Sequence, residues 1–509
     1  MALISIQFIL FCAFLIVVYY LVPGKLQNLC LLAANLVFLS FYHAARLTVL
    51  FLGLSILTTW AAALVIGRLN TLQPGRTGRK RAVFVLTVLL NLAFLFVFKF
   101  ANSAIFALNG LGIVDHAPVS FAAPLGISFY TLQLLSYLID VYNGGQQPQR
   151  NLLKYALFGS YFPLLTSGPI VRYSELGPQF DHRRTFQYRN VTFGAQRMMW
   201  GFFKKLVISE RAAVMVNTVF GDYPVYAGSY ILGAVLLFAI QLYTDFSGCM
   251  DIVIGLSEAL GLTVPENFLT PFYSTSETEF WRRWHITLGT WFKDYVFYPL
   301  QKTALFGAIR DWSKKKLGKK RGRKVPMYLA MAVLWFSVGF WHGGLWKYIV
   351  GSGVIHFVYI FLGQELAPAG SRINRILHIR EDSLSHQLFR RVRTLLMVCS
   401  GFLFFRAASF HTALKMLRAL LFVSDPTFFT VQGLLSLGLD GYDLTVLILA
   451  VLLLIYVEHV QQTGSVRDRI AGQHIAVRWL VYIGLFFLVV IFGMYGAEYN
   501  AASFIYANF

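Results

Sequence analysis

Residues Met327–Trp346 read MYLAMAVLWFSVGFWHGGLW, a run of apolar and small residues interrupted by a single imidazole, His342. A helix needs roughly 20 such residues to cross the hydrocarbon core of a bilayer, so the stretch predicts a membrane span. A titratable ring well inside a span costs free energy unless it has a partner or lines a cavity, which marks it as a functional-site candidate. The competing reading is a packing histidine bonded to a backbone carbonyl. A second histidine, His285, closes Phe280-Trp281-Arg282-Arg283-Trp284-His285, and a basic loop separates the two. The rest of the chain is organised around this pair.

Working outward, the 509 residues are 57% hydrophobic and 13% charged, about half the usual globular share of charge. With a mean hydropathy of +0.61 the chain reads as an all-α polytopic integral membrane protein. The N-terminal apolar run to Leu21 lacks a positive n-region and a small-residue cleavage pattern, so it is expected to be a retained span. A net charge of +21 would suggest nucleic acid in a soluble chain. Here the basic residues fall in short loops between apolar segments, which points to topology signals and lipid headgroup contacts, and to no nucleic-acid partner. Cys12, Cys30, Cys249 and Cys399 stand singly, with no CxxC pair, so neither a disulfide framework nor a thiolate metal site is indicated.

Candidate spans lie at about 5–22, 27–43, 47–67, 82–100, 121–142, 228–244, 246–262, 327–346, 348–364, 394–407, 444–460 and 479–496. Residues 153–170 contain Pro163 and Thr166-Ser167-Gly168-Pro169, which predict a broken or re-entrant element. Three loops carry the Lys and Arg excess expected of the cytoplasmic side: Arg68 to Arg81 (with Arg76), Lys302 to Lys324, and Arg372 to Arg393. Counting back from them places both termini outside. From Arg172 to Arg211 cations alternate with Phe, Tyr, Trp and Met, a composition that suits amphipathic helices on the inner leaflet. A single integral domain is the simplest account, with peripheral spans over 1–120, a core over about 121–393 and further spans over 394–509.

Intramembrane carboxylates are expected at Asp140, Asp245 and Asp251, with Glu258 close behind. At such depths they must be paired, bonded or neutral, and several together suggest a polar passage; helix-to-helix bonding is the plainer alternative. A neutral imidazole is able to accept a proton from an attacking hydroxyl, and a second polar group near a carbonyl to orient an acyl donor or stabilise the oxyanion. His342 and His285 meet that minimum for acyl transfer. No Gly-x-Ser-x-Gly elbow is present, and no HExxH-like spacing supports zinc.

Several stretches in order carry a resemblance: Pro124-Leu125-Gly126-Ile127-Ser128-Phe129-Tyr130, Ser136 to Tyr142, Ser167-Gly168-Pro169-Ile170, Asp245-Phe246-Ser247-Gly248, Pro265-Glu266-Asn267-Phe268, Glu279 to His285, Trp341-His342-Gly343 and the closing Phe504 to Phe509. Together they resemble the membrane-bound O-acyltransferase superfamily, in its bacterial branch of alginate O-acetyltransferases and teichoic-acid D-alanyl transfer proteins. Cys249 and Met250 after Gly248, and Ser337-Val338-Gly339-Phe340 before Trp341, depart from the usual alginate-type pattern. The resemblance implies a ring of tilted helices around a central passage, with re-entrant and interfacial helices. It also implies acetyl-CoA or an acyl carrier as cytoplasmic donor and no tightly bound cofactor. His342 would be the catalytic base and His285 the residue that positions or polarises the thioester. Arg282, Arg283, Trp281, Trp284, Asp245, Ser247 and Trp341 would line the substrate site, with Lys293 a further phosphate partner. An extracytoplasmic transferase would complete delivery to a cell-surface polysaccharide at the bacterial inner membrane. D-alanyl transfer is the near alternative; a transporter and a non-catalytic scaffold are the other classes.

Overall fold

The computed structural model describes residues 2–72, 77–119 and 122–495. Arg76 of the first basic loop and the closing Phe504 to Phe509 lie outside them. Among the described residues the chain is helical, with one isolated antiparallel bridge between Phe268 and Trp284. Seven helices among the described residues are long and apolar enough to span a membrane: Ala45–Thr71, Gly78–Gly110, Ser229–Ala259, Lys324–Trp341, Trp346–Ile376, Gly441–Gln461 and Ile475–Phe492. This is a multi-pass membrane protein.

Helix lengths depart from the expected spans in instructive places. The separate spans expected at 228–244 and 246–262 are one helix of 31 residues, Ser229–Ala259. The polar run at Asp245 does not break it, because those side chains find partners and the backbone bonding continues. The segment expected at 27–43 is a helix of 14 residues, Gln27–Ser40, and that at 121–142 becomes Ile127–Tyr142, with 16. Residues 153–170 are broken as expected, into Leu152–Ser160 and the short Phe162–Leu165, with Tyr161 between them out of helical geometry.

The chain divides into two compact units. The first holds Met1–Lys205, Asp245–Glu266 and Ile470–Phe509. In it Ile127–Tyr142 packs against Ala45–Leu72 and Thr77–Leu95 and is buried over most of its length. The helix Tyr188–Phe202 crosses the end of Ser229–Ala259 on a seam of paired glycines. A Cβ on Gly201 would sit 2.5 Å from the Gly248 carbonyl oxygen, and one on Gly255 would sit 2.6 Å from that of Gly194. Seven residues is two helical turns, so both pairs fall on one line and the backbones touch. The latter half of the Arg172–Arg211 stretch therefore faces inward. Phe193, Phe202, Lys204 and Lys205 are buried, while Tyr188 and Arg189 at the helix start are exposed.

The second unit holds Leu206–Thr244 and Asn267–Arg469. It contains both histidines. Lys324–Trp341 packs on the wide turn Val350–Val354, which also contacts Leu384–Arg406. Such i→i+5 turns add a residue to a helix and concentrate at functional sites.

Candidate active site

The geometry at His285 starts with a single antiparallel backbone bridge. Leu269 N–H donates to Arg283 C=O at 2.9 Å and Ile286 N–H to Asn267 C=O at 3.1 Å, so Asn267-Phe268 lies antiparallel to Trp284-His285. The pairing interrupts what would be one helix. Glu277–Arg283, capped by the Ser276 hydroxyl, stops at Trp284, and Ile286–Phe292 starts beyond His285. At the junction His285 adopts φ +47° and ψ +50°. A residue with a β-carbon is held in this left-handed region only where its surroundings over-determine it, at a cost of about 1–3 kcal/mol.

Asn267 supplies that determination. It is fully buried, and besides the backbone bond its Oδ1 accepts from Thr287 N–H at 3.1 Å and from the Thr287 hydroxyl at 2.9 Å. The same oxygen lies 3.3 Å from His285 Nδ1. His285 lies outside the spanning helices, and burial alone pushes its pKa well below the usual imidazole range. The ring is therefore neutral at physiological pH.

His342 closes Lys324–Trp341. The helix ends there because Gly343 and Gly344 take φ of +149° and +74°, with both their N–H groups turned back to Phe340 C=O. The His342 ring is buried, edge-on to Phe405 at 5.6 Å and to Trp341 at 5.1 Å. Trp341 in turn meets His285 edge-on at 6.1 Å. One indole is thus flanked by both imidazoles.

The other expected site residues separate. Trp284 is buried in an aromatic cluster, stacked on Phe280 at 5.4 Å and against Phe268, Tyr243 and Phe402. It is core, not an interfacial anchor. Trp281 donates its indole N–H to Glu277 Oε1 at 3.0 Å. Arg283 is engaged by Glu279 at 2.8 Å and by Thr270 and Gln462, whereas Arg282 and Lys293 are exposed.

Asp245 and Ser247 belong to the first unit, in a buried ion cluster. Lys205 pairs with Asp245 at 2.5 Å, Lys204 with Asp251 and, at 2.9 Å, with the Ser247 hydroxyl. Arg197 joins Asp251 at 3.0 Å and Glu266 at 2.5 Å. Burial alone would lower the Arg197 pKa; the two carboxylates beside it outweigh that and hold it above its ordinary value. Asp245 and Ser247 are thus held by the lysines of this cluster, in the first unit, whereas both histidines lie in the second.

Sequence reasoning missed two residues of the second unit. His356, fully buried, places Nδ1 at 2.5 Å from the Glu277 oxygen that also takes the Trp281 indole N–H. The trio pins the Glu277–Arg283 helix, and hence the approach to His285, to Trp346–Ile376. His356 sits alone in an apolar segment, so the rule that singled out His342 applies to it as well. Asn267 was visible only as part of a motif. Among the described residues no three His, Cys, Asp or Glu side chains gather as a metal site.

Comparison with known proteins shows the family. Residues 148–309 match MBOAT, the membrane-bound O-acyltransferase family. "Probable alginate O-acetylase AlgI" of Azotobacter vinelandii is 34% identical over 443 residues, 86% of this chain and 80% of the relative. Its namesake from Pseudomonas syringae pv. tomato is 32% identical over 436 residues, 85% of this chain and 76% of the relative. The peptidoglycan O-acetyltransferase of Helicobacter pylori is 29% identical over 435 residues, 79% and 76% of the two chains. The chain belongs to the membrane-bound O-acyltransferase family, and it is a membrane acyltransferase.

Proposed function

We propose that this enzyme takes an acetyl group from acetyl-CoA on the cytoplasmic side and passes it toward an extracytoplasmic polysaccharide, through a partner transferase, at the bacterial inner membrane. The observation that carries the reading is the pair of buried imidazoles flanking Trp341. His342 acts as the general base and His285 as the second site residue. His342 takes the proton of the attacking hydroxyl as its oxygen bonds to the thioester carbonyl carbon. The carbon–sulfur bond then breaks, and the thiolate leaves with that proton as free thiol. Exposed Arg282 and Lys293 are the cations left to meet the phosphates of the donor. The relatives named for alginate and peptidoglycan O-acetylation favour an acetyl group and a polysaccharide acceptor.

The test is His342→Ala in cells, with ester-linked acetate on surface polysaccharide measured after mild alkaline release and protein level checked beside the wild type. Loss of a general base lowers a rate by about 10²- to 10⁴-fold, about 3–5 kcal/mol in barrier. Acetylation should fall by that factor while the protein accumulates normally. Unchanged acetylation would return His342 to a packing role, and release of D-alanine in place of acetate would select D-alanyl transfer.

A further inference from the structure

We infer that Asn267 is a positioning residue that fixes His285 as the tautomer protonated on Nδ1, so that His285 offers the active site the lone pair of Nε2. The inference rests on the reading above for His285's place in the site, and its geometry stands independently. A backbone N–H only donates. The Asn267 atom facing Thr287 N–H at 3.1 Å is therefore the amide oxygen, and the orientation of that amide is set by the main chain. The same oxygen faces His285 Nδ1 at 3.3 Å. Two lone pairs do not bond, so Nδ1 carries hydrogen. A neutral imidazole has one proton, which leaves Nε2 as an acceptor.

The backbone makes the arrangement rigid. The left-handed turn at His285 brings its own Nδ1 and the Thr287 N–H and hydroxyl to one oxygen, while Asn267 C=O holds Ile286 N–H from the other side. The chemical consequence separates the two roles that the sequence left open for His285. A ring with its lone pair on Nε2 accepts a hydrogen bond or a proton through that nitrogen. It does not donate to a thioester carbonyl, so His285 orients a hydroxyl or thiol and the oxyanion is met by another group.

The experiment uses the full-length protein in lipid nanodiscs with ¹⁵N-labelled histidine imidazoles, the His285 signals being assigned by their loss in His285→Gln. The wild type should show a protonated Nδ1 and an unprotonated Nε2 at neutral pH. Asn267→Asp keeps the acceptor and adds a charge, which should move the titration of the ring up by about 1 to 3 pH units. Asn267→Leu removes the acceptor and should release the tautomer preference, lowering kcat more than it raises KM. A wild-type ring protonated on Nε2 would overturn the proposal, as would an Asn267→Asp ring that titrates like the wild type. If Asn267→Leu fails to fold, the wild-type spectrum and Asn267→Asp still decide. Full acetylation by His285→Gln alongside a wild-type Nδ1 proton would remove His285 from the reaction while leaving the positioning by Asn267 in place.

Discussion

Lys205 and Asp245 stand 40 positions apart in the sequence and 2.5 Å apart in the fold, both almost wholly buried. A residue's depth in the membrane is legible from its apolar neighbours; its partner is not. That is why the sequence marks Asp245 as a buried carboxylate in need of a partner, and only the fold shows that the partner is Lys205. His342 and His285 stand out in the sequence for the opposite reason, since an imidazole in an apolar or Trp-rich setting is conspicuous without knowledge of what it touches, and the fold brings both against Trp341. Removing one member of a buried pair leaves an uncompensated charge and costs about 3–5 kcal/mol, whereas replacing both by apolar side chains is often neutral. Lys205→Met alone should therefore lower the melting temperature of the protein in detergent sharply, and adding Asp245→Leu should restore most of it. A double variant as unstable as the single one would mean that the pair is needed for more than mutual neutralisation.

Among the elements, hydropathy found most of the apolar helices and misjudged where they join. The run Asp245-Phe246-Ser247-Gly248 looks like a break because polar and small residues interrupt the apolar pattern, yet the helix continues to Ala259. Its glycines let Tyr188–Phe202 approach closely, and Lys204 and Lys205, just past that helix, reach the carboxylates. A composition rich in Arg, Phe and Trp suits a leaflet surface and a helix crossing equally, so the choice had to come from contacts. Gly201→Ala would put a methyl into the Gly248 carbonyl, and over-packing of this kind costs about 1–3 kcal/mol. Gly53, inside Ala45–Leu72, has nothing within 4 Å of its added Cβ, and Gly53→Ala should stabilise by up to about 1 kcal/mol through helix propensity. Opposite signs in thermal unfolding are expected; equal shifts would refute the seam as a close contact.

For the molecule as a whole, the positive charge gathers in loops and the spans carry little. The most basic loop includes the helix Ala304–Gly322, where Lys315, Lys316, Lys319, Lys320 and Arg321 are exposed. The Lys and Arg bias orients polytopic proteins with such loops in the cytoplasm. A cysteine placed at Gly318, which is exposed and carries a φ of +78° between two helical stretches, provides the check. It should resist a membrane-impermeant thiol reagent in intact cells and react once the membrane is opened; labelling in intact cells would invert the topology.

The ion cluster of the first unit has one more consequence. Arg197, Lys204 and Lys205 are matched in number by Asp245, Asp251 and Glu266. A membrane voltage of 100 mV does about 2.3 kcal/mol of work on one elementary charge carried across the bilayer. It does no net work on a set whose charges cancel and move together. Moving as one body, these six side chains offer the membrane potential no net charge to work on, so whatever voltage dependence the protein has must come from charges outside this cluster or from motion within it.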